Sequence, residues 1–162
     1  MVAGRAVARA CTVVWLVLLA GTPTQAAEHV VRLLTESDEG RFRFEPPLVF
    51  AAVGDTVRFV PDNRLHAVKS VAGMLPDGVP GWRGRMGEEL VVALEQPGVY
   101  GIKCQAHYQV GMVALIVVGS RPLNWRAARA VRHPPMPTEV FQGLFAEAAC
   151  AEGSAYPEDC AD

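Results

Sequence analysis

The sequence has no strong excess of charge of either sign. Its 15 basic and 17 acidic side chains leave a formal net charge of −2, and the two signs are interspersed. No basic face of the kind that binds nucleic acid follows from such a balance. Cysteine and methionine are sparse, four and five residues including Met1, and neither is clustered. No internal repeat and no low-complexity tract interrupts the chain. The one sustained apolar run, roughly residues 10–20, falls short of the ~20 residues that a membrane-spanning helix needs. What is present is a chain of 162 residues, 51% of them apolar. That suffices for one compact domain with small additions.

The apolar run sits in a particular order. Arg5 and Arg9 precede it, Val13, Val14, Trp15, Leu16, Val17, Leu18 and Leu19 fill it, and Gly21, Pro23 and small residues up to Ala26 and Ala27 follow. This is the order of a secretory signal peptide, with cleavage expected after Ala26 or Ala27. A membrane anchor is the alternative, and the shortness of the run opposes it. Cys11 opens the run instead of following it, which argues against a lipoprotein anchor. The expected division is a signal peptide over residues 1–26, a β-domain over 27–120 and a C-terminal extension over 121–162. Loss of the leader removes Arg5, Arg9 and Cys11. It leaves 13 basic against 17 acidic side chains, and three cysteines, Cys104, Cys150 and Cys160. An odd count in an exported protein implies a pair plus one special thiol.

From residue 28 to 119 the pattern is that of short strands, at residues 29–34, 41–44, 49–53, 56–60, 67–71, 90–94, 98–104 and 112–118. Gly54-Asp55, Pro61-Asp62-Asn63 and Gln96-Pro97-Gly98 mark turns between them. Residues 72–88, with five glycines and two prolines, read as a long irregular stretch. Such spacing indicates an all-β sandwich or barrel. After Gly119 the pattern becomes helical. Asn124 is the expected cap of a helix reaching about Arg132 and stopped by Pro134-Pro135. Thr138 is the expected cap of a second, on which Val140, Phe141, Leu144, Phe145 and Ala148 keep helical spacing. Two short helices of this kind pack on the β-domain, since they are too few to make their own core.

The chemistry concentrates in residues 98–112. Cys104, His107 and Met112 offer a thiolate, an imidazole and a thioether within nine residues, spaced C-x2-H-x4-M, at the end of one strand and the start of the next. A loop of this kind can wrap one ion, and His66, just after a turn, is the candidate fourth ligand. Two imidazoles and one thiolate in a plane, with a weak axial methionine, form the donor set of type 1 blue copper. Zinc also takes Cys and His, but its structural sites prefer four such ligands, and no second cysteine lies near Cys104. The bland reading makes Cys104, His107 and Met112 ordinary core residues; their joint spacing in an exported chain favours one copper ion.

These residues, with Phe44-Glu45-Pro46, the segments 53–57, 73–78 and 97–104, His107-Tyr108 and Gly111-Met112-Val113, resemble pseudoazurin, within the cupredoxins, over roughly residues 28–151. The resemblance implies an eight-stranded Greek-key sandwich with two C-terminal helices. It also implies a periplasmic location and a copper ion near one end of the sandwich, with His107 as the electron port. Three positions depart from the family pattern. Ala67 replaces an asparagine whose amide ties the two ligand loops. Ala106 replaces a proline and restores a backbone N–H near the sulfur. Phe42 stands where a methionine often packs over the exposed imidazole, and is expected either to stack on His107 or to pack as an ordinary strand residue.

The family docks partners on an apolar patch around the exposed histidine. Here that patch would include Phe42, Pro61, Ala106 and Val110, ringed by Arg64, Lys69, Arg83, Arg85 and Lys103 and weakened by Glu36. The implied function is a monomeric one-electron carrier. Its expected acceptors are of the copper nitrite reductase or nitrous oxide reductase kind, with a cytochrome or quinol-linked donor. The His2Cys-Met set leaves no open equatorial position for a substrate, which argues against an enzyme. Copper handling, as a chaperone or store, is the alternative, but it generally uses Met- or Cys-rich motifs. Cys150 and Cys160 are expected to form a disulfide, with a second metal site or an intermolecular bond as the alternatives. His29 and His133 have no ligand-type neighbours; His133 is expected to be exposed at a helix end, and Trp82 and Trp125 to be packing residues.

Overall fold

Eight strands and two helices carry residues 26–38, 40–151 and 153–160, which this computed structural model describes. The expected leader, apart from Ala26, lies outside them. The strands are β1 (Glu28–Ser37), β2 (Gly40–Glu45), β3 (Leu48–Ala51), β4 (Thr56–Pro61), β5 (Val68–Ser70), β6 (Leu90–Ala93), β7 (Gly98–Cys104) and β8 (Val113–Val118), and the helices α1 (Trp125–Arg129) and α2 (Pro135–Cys150). They build two four-stranded sheets, ordered β2-β1-β4-β6 and β3-β8-β7-β5. Most pairings are antiparallel, but β1 runs parallel to β4 and β3 parallel to β8.

The two sheets face one another across a core drawn from alternate residues. Val31 and Leu33 of β1, Phe44 of β2 and Val57 and Phe59 of β4 meet Tyr100, Ile102 and Cys104 of β7 and Ala114, Ile116 and Val118 of β8. Strand β8 is buried at every residue, because both of its faces are covered. Its other face, Val113, Leu115 and Val117, lies under Trp125 of α1 and Phe141, Leu144, Phe145 and Ala148 of α2. A strand covered on both sides reads as a continuous apolar run instead of an alternating one.

The helices differ from expectation in their ends. The second starts at Pro135, not at a cap on Thr138. Proline is tolerated in a first turn, where the missing N–H would have no partner within the helix. Thr138 therefore lies inside α2, and its hydroxyl donates to the carbonyls of His133 and Pro134. The first helix ends at Arg129, before the expected Arg132. Asn124 occupies its N-cap position without capping. Its amide instead grips Val99 of β7, accepting from Val99 N–H at 2.7 Å and donating to Val99 C=O at 2.8 Å.

Cys150 and Cys160 form the expected disulfide, with Cα atoms 4.6 Å apart. It folds the tail back onto α1. There Tyr156 stacks on Trp125 (ring centroids 4.9 Å apart, 6° between planes), the Trp125 indole N–H donates to Asp159 at 2.8 Å, and Arg129 pairs with Asp159. Trp125 is a packing residue, as expected, and also a polar one. His133 departs from expectation. It is partly buried, with Nδ1 2.7 Å from the Tyr108 hydroxyl and its ring against Phe141.

Candidate metal centre

Three segments converge at one end of the sandwich. The turn after β4 delivers His66, the end of β7 delivers Cys104, and the loop between β7 and β8 delivers His107 and Met112. That loop is one 3-10 turn, Tyr108–Val110, closed by Gly111 at φ 87°. A side chain at Gly111 would be strained in that left-handed conformation, and a Cβ there would also press on Val140 at 3.2 Å. The turn folds the chain back on itself, so that Met112 N–H donates to His107 C=O at 3.2 Å and Cys104 N–H to Met112 C=O at 3.0 Å.

One ligand atom from each of His66, Cys104 and His107 lies within 4.8 Å of the others. Both imidazoles turn Nδ1 toward the sulfur, His66 at 3.7 Å and His107 at 3.6 Å. His66, Cys104 and Met112 are fully buried, and only the His107 ring is partly open to solvent. Two imidazole nitrogens and a thiol sulfur, aimed at one point in an apolar pocket, fit copper as a donor set.

The outer nitrogen of His66 is engaged. Nε2 lies 3.2 Å from Asp62 Oδ1 and 3.0 Å from Thr35 Oγ1. Burial pushes the His66 imidazole below its usual pKa, Asp62 pulls it back up, and the neighbouring His107 lowers it further. Neither Asp62, expected only as part of a turn, nor Thr35 was expected to touch the site. Asp62, four residues before His66, was within reach of it; Thr35 comes from another strand and carried no local signal.

Ala67 removes the expected side-chain tie between the ligand loops, yet the loops are joined. Gln105 N–H donates to Ala67 C=O at 2.8 Å, and the Gln105 amide donates to Gly84 C=O at 3.1 Å. Of the two expectations for Phe42, the stack on His107 is the one found, with ring centroids 4.1 Å apart and 19° between planes. Phe42 stacks from a left-handed backbone conformation, φ 53°, which is uncommon for a bulky residue.

The sequence matches the model of the copper binding proteins, plastocyanin/azurin family, over residues 31–119. It is 39% identical to a pseudoazurin of Methylorubrum extorquens, an alignment spanning 77% of this chain and 84% of that one. The chain belongs to the pseudoazurins. A pseudoazurin of Paracoccus pantotrophus is 36% identical over 80% of this chain and 90% of its own. The crystal structure of pseudoazurin from Methylobacterium extorquens AM1 superposes with a TM-score of 0.71 at 39% identity, covering 74% of this chain and 98% of that one. The fold is thus the cupredoxin β-sandwich, and copper is the cofactor that the family and the His66, Cys104 and His107 group call for. Pseudoazurins are electron-transfer cupredoxins, and the carrier function follows at that level.

Around this pseudoazurin's centre, Phe42 and Val110 line one surface cavity with Gly111. Pro61 is half-buried; Ala106 and Val110 are exposed, as is Leu65, which the sequence reading did not include. Arg64, Lys69, Arg83 and Arg85 are exposed and Lys103 is half-buried. Lys69 stands directly opposite Lys103 across the β5–β7 pair. Burial first, and then the charge of Lys69, hold the Lys103 ammonium below its usual pKa. Lys103 also lies over the Tyr108 ring, 4.2 Å from its centroid. Among the described residues no helix is long and apolar enough to cross a membrane.

Proposed function

We propose that the chain is exported to the periplasm and there carries one electron at a time between protein partners. One copper ion would be held by His66, Cys104, His107 and Met112. When bound, copper supplies a one-electron Cu(I)/Cu(II) couple. The residues supply rigidity. His66 and Cys104 are buried, the ligand loops are joined by backbone hydrogen bonds, and the Phe42 ring restrains His107. A framework that does not rearrange between oxidation states keeps electron exchange fast. The convergence of two Nδ1 atoms on one buried sulfur is the observation that carries this reading.

The half-exposed edge of His107 is the proposed electron port. Phe42, Pro61, Ala106 and Val110 form its apolar surround, and Arg64, Lys69, Arg83, Arg85 and Lys103 its basic ring. Like-charged Lys69 and Lys103 facing one another suit a partner with an acidic docking site, approached at a rate that falls with added salt. A copper nitrite reductase or nitrous oxide reductase as acceptor, a cytochrome or quinol-linked donor, and a monomeric carrier complete the proposal. Residues 1–26 form the leader, 27–120 the copper domain and 121–162 the helical extension with its acidic tail.

The visible and EPR spectra of the Cu(II) protein, before and after ascorbate, test this function. Intense sulfur-to-copper absorption with narrow hyperfine splitting, bleached by the reductant, is expected. A pale spectrum of ordinary copper would remove Cys104 from the ligand set and end the carrier reading. The mass of the exported protein tests the leader. A chain beginning at Ala27 is expected, because Ala27 N–H donates to Asp55 at 2.8 Å and Ala27 C=O accepts from Thr56 N–H at 2.9 Å.

A further inference from the structure

We infer that Asp62 is a positioning residue for the metal centre: the charge of its carboxylate selects the tautomer of His66 that Thr35 holds, and biases the centre toward its oxidised state. The inference rests on the proposed copper site and extends it to a residue that touches no metal. The turn after β4 is built to present this carboxylate. Asp62 N–H donates to Leu33 C=O at 2.9 Å, and Asp62 Oδ2 accepts from Thr35 N–H at 2.8 Å. Both bonds anchor it to β1. Asn63 stiffens the same turn, accepting from Leu65 N–H at 2.8 Å and donating to Thr35 Oγ1 at 2.6 Å. The free oxygen, Oδ1, is left 3.2 Å from His66 Nε2.

A negative charge beside one ring nitrogen favours the tautomer that carries its proton there, because the N–H dipole then points at the charge. With the proton on Nε2, bonded to Thr35 Oγ1 at 3.0 Å and 3.2 Å from the Asp62 carboxylate, the Nδ1 lone pair is free and faces the Cys104 sulfur. The ring is fully buried. The bond to Thr35 orients the ring, and the nearby carboxylate charge raises its basicity. The added negative charge also favours the more highly charged metal state by Coulomb attraction. The Asp62 side chain is 31% exposed, so water screens part of this field.

The test compares wild type with Asp62→Asn and Asp62→Glu, each copper-loaded, by redox titration of the sulfur-to-copper band. The Asn variant keeps the shape and removes the charge. At a fixed applied potential its ratio of reduced to oxidised protein should rise on the order of tenfold, about 59 mV for one electron. The Glu variant should return toward wild type. An Asn variant with an intact band and an unchanged or lowered potential would overturn the inference. In the copper-free protein, the ring 15N shifts of His66 should report a proton on Nε2, and a proton on Nδ1 would equally overturn it. A wild-type protein without the intense band would instead strike at the underlying copper site, and the inference would fall with it.

Discussion

Replacing Phe42 separates two opposing effects at a single position. The ring lies on His107 at 4.1 Å, and an aromatic pair of this kind contributes about 0.5–1.5 kcal/mol beyond the area it buries. Phe42→Leu keeps the apolar bulk and the Cβ, so its loss of stability should fall within that range. Phe42→Ala also loses the side-chain contact. Full burial would make that ~3–5 kcal/mol, and a half-buried ring should forfeit about 2 kcal/mol. The backbone works the other way. At φ 53° any Cβ collides with the following carbonyl at a cost of about 1–2 kcal/mol. Phe42→Gly therefore should be more stable than Phe42→Ala by about 1 kcal/mol, although glycine loses more entropy on folding. Urea unfolding of the four copper-free proteins measures all three differences. A Leu variant as stable as wild type would refute the contribution of the stack. A Gly variant no more stable than the Ala variant would refute the strain.

Other perturbations test other parts of the fold. Opening the Cys150–Cys160 loop with serines at both positions should cost ~2–3 kcal/mol by loop entropy, a fall in Tm on the order of 10 °C, with the visible band unchanged; an unaltered Tm would mean that the tail holds without its staple. Gly101→Ala would place a Cβ 2.6 Å from Met74 Cβ, within the core beneath the helices, and should lower stability by about 1–3 kcal/mol, read by thermal unfolding. Asp55 is held down to about 2 by His29 first and then by the N–H groups of Ala27 and Ala52. Because that lies below the unfolded value of ~3.9, its contribution is complete above pH ~4 and drains as the pH falls toward 2. Between those limits wild type should lose more stability than Asp55→Asn, and parallel acid profiles for the two would deny the assignment.

Much of the centre was legible in the chain because three of its four proposed ligands share one loop. Cys104, His107 and Met112 are close by covalent geometry alone, and their donor chemistry selects a metal before any fold is known. The sandwich showed through the alternation of strands such as Thr56–Pro61, since one buried face imposes a period of two. The helix ends were less legible. Pro134-Pro135 signals both a stop and a start, and only the packing of Phe141 and Leu144 against β8 settles where α2 begins. The role of Asn124 was hidden for the same reason. As a local signal it is a cap, and in the fold it finds a better partner in Val99.

The sequence by itself supplied the candidate donors of the Cys104–Met112 loop, the strand period and the expectation that Cys150 pairs with Cys160, all properties of residues near one another in the chain or of their periodicity. The tertiary structure alone decided what surrounds the donors. Thr35 reaches His66 from 31 residues away, and the Ala67 carbonyl takes over a tie that its side chain cannot make. Those contacts depend on strand register and on how the two sheets pack, which no local pattern encodes. The physical reason is that a ligand's identity is a property of its own side chain, whereas its tautomer, field and restraint belong to whatever the fold brings against it.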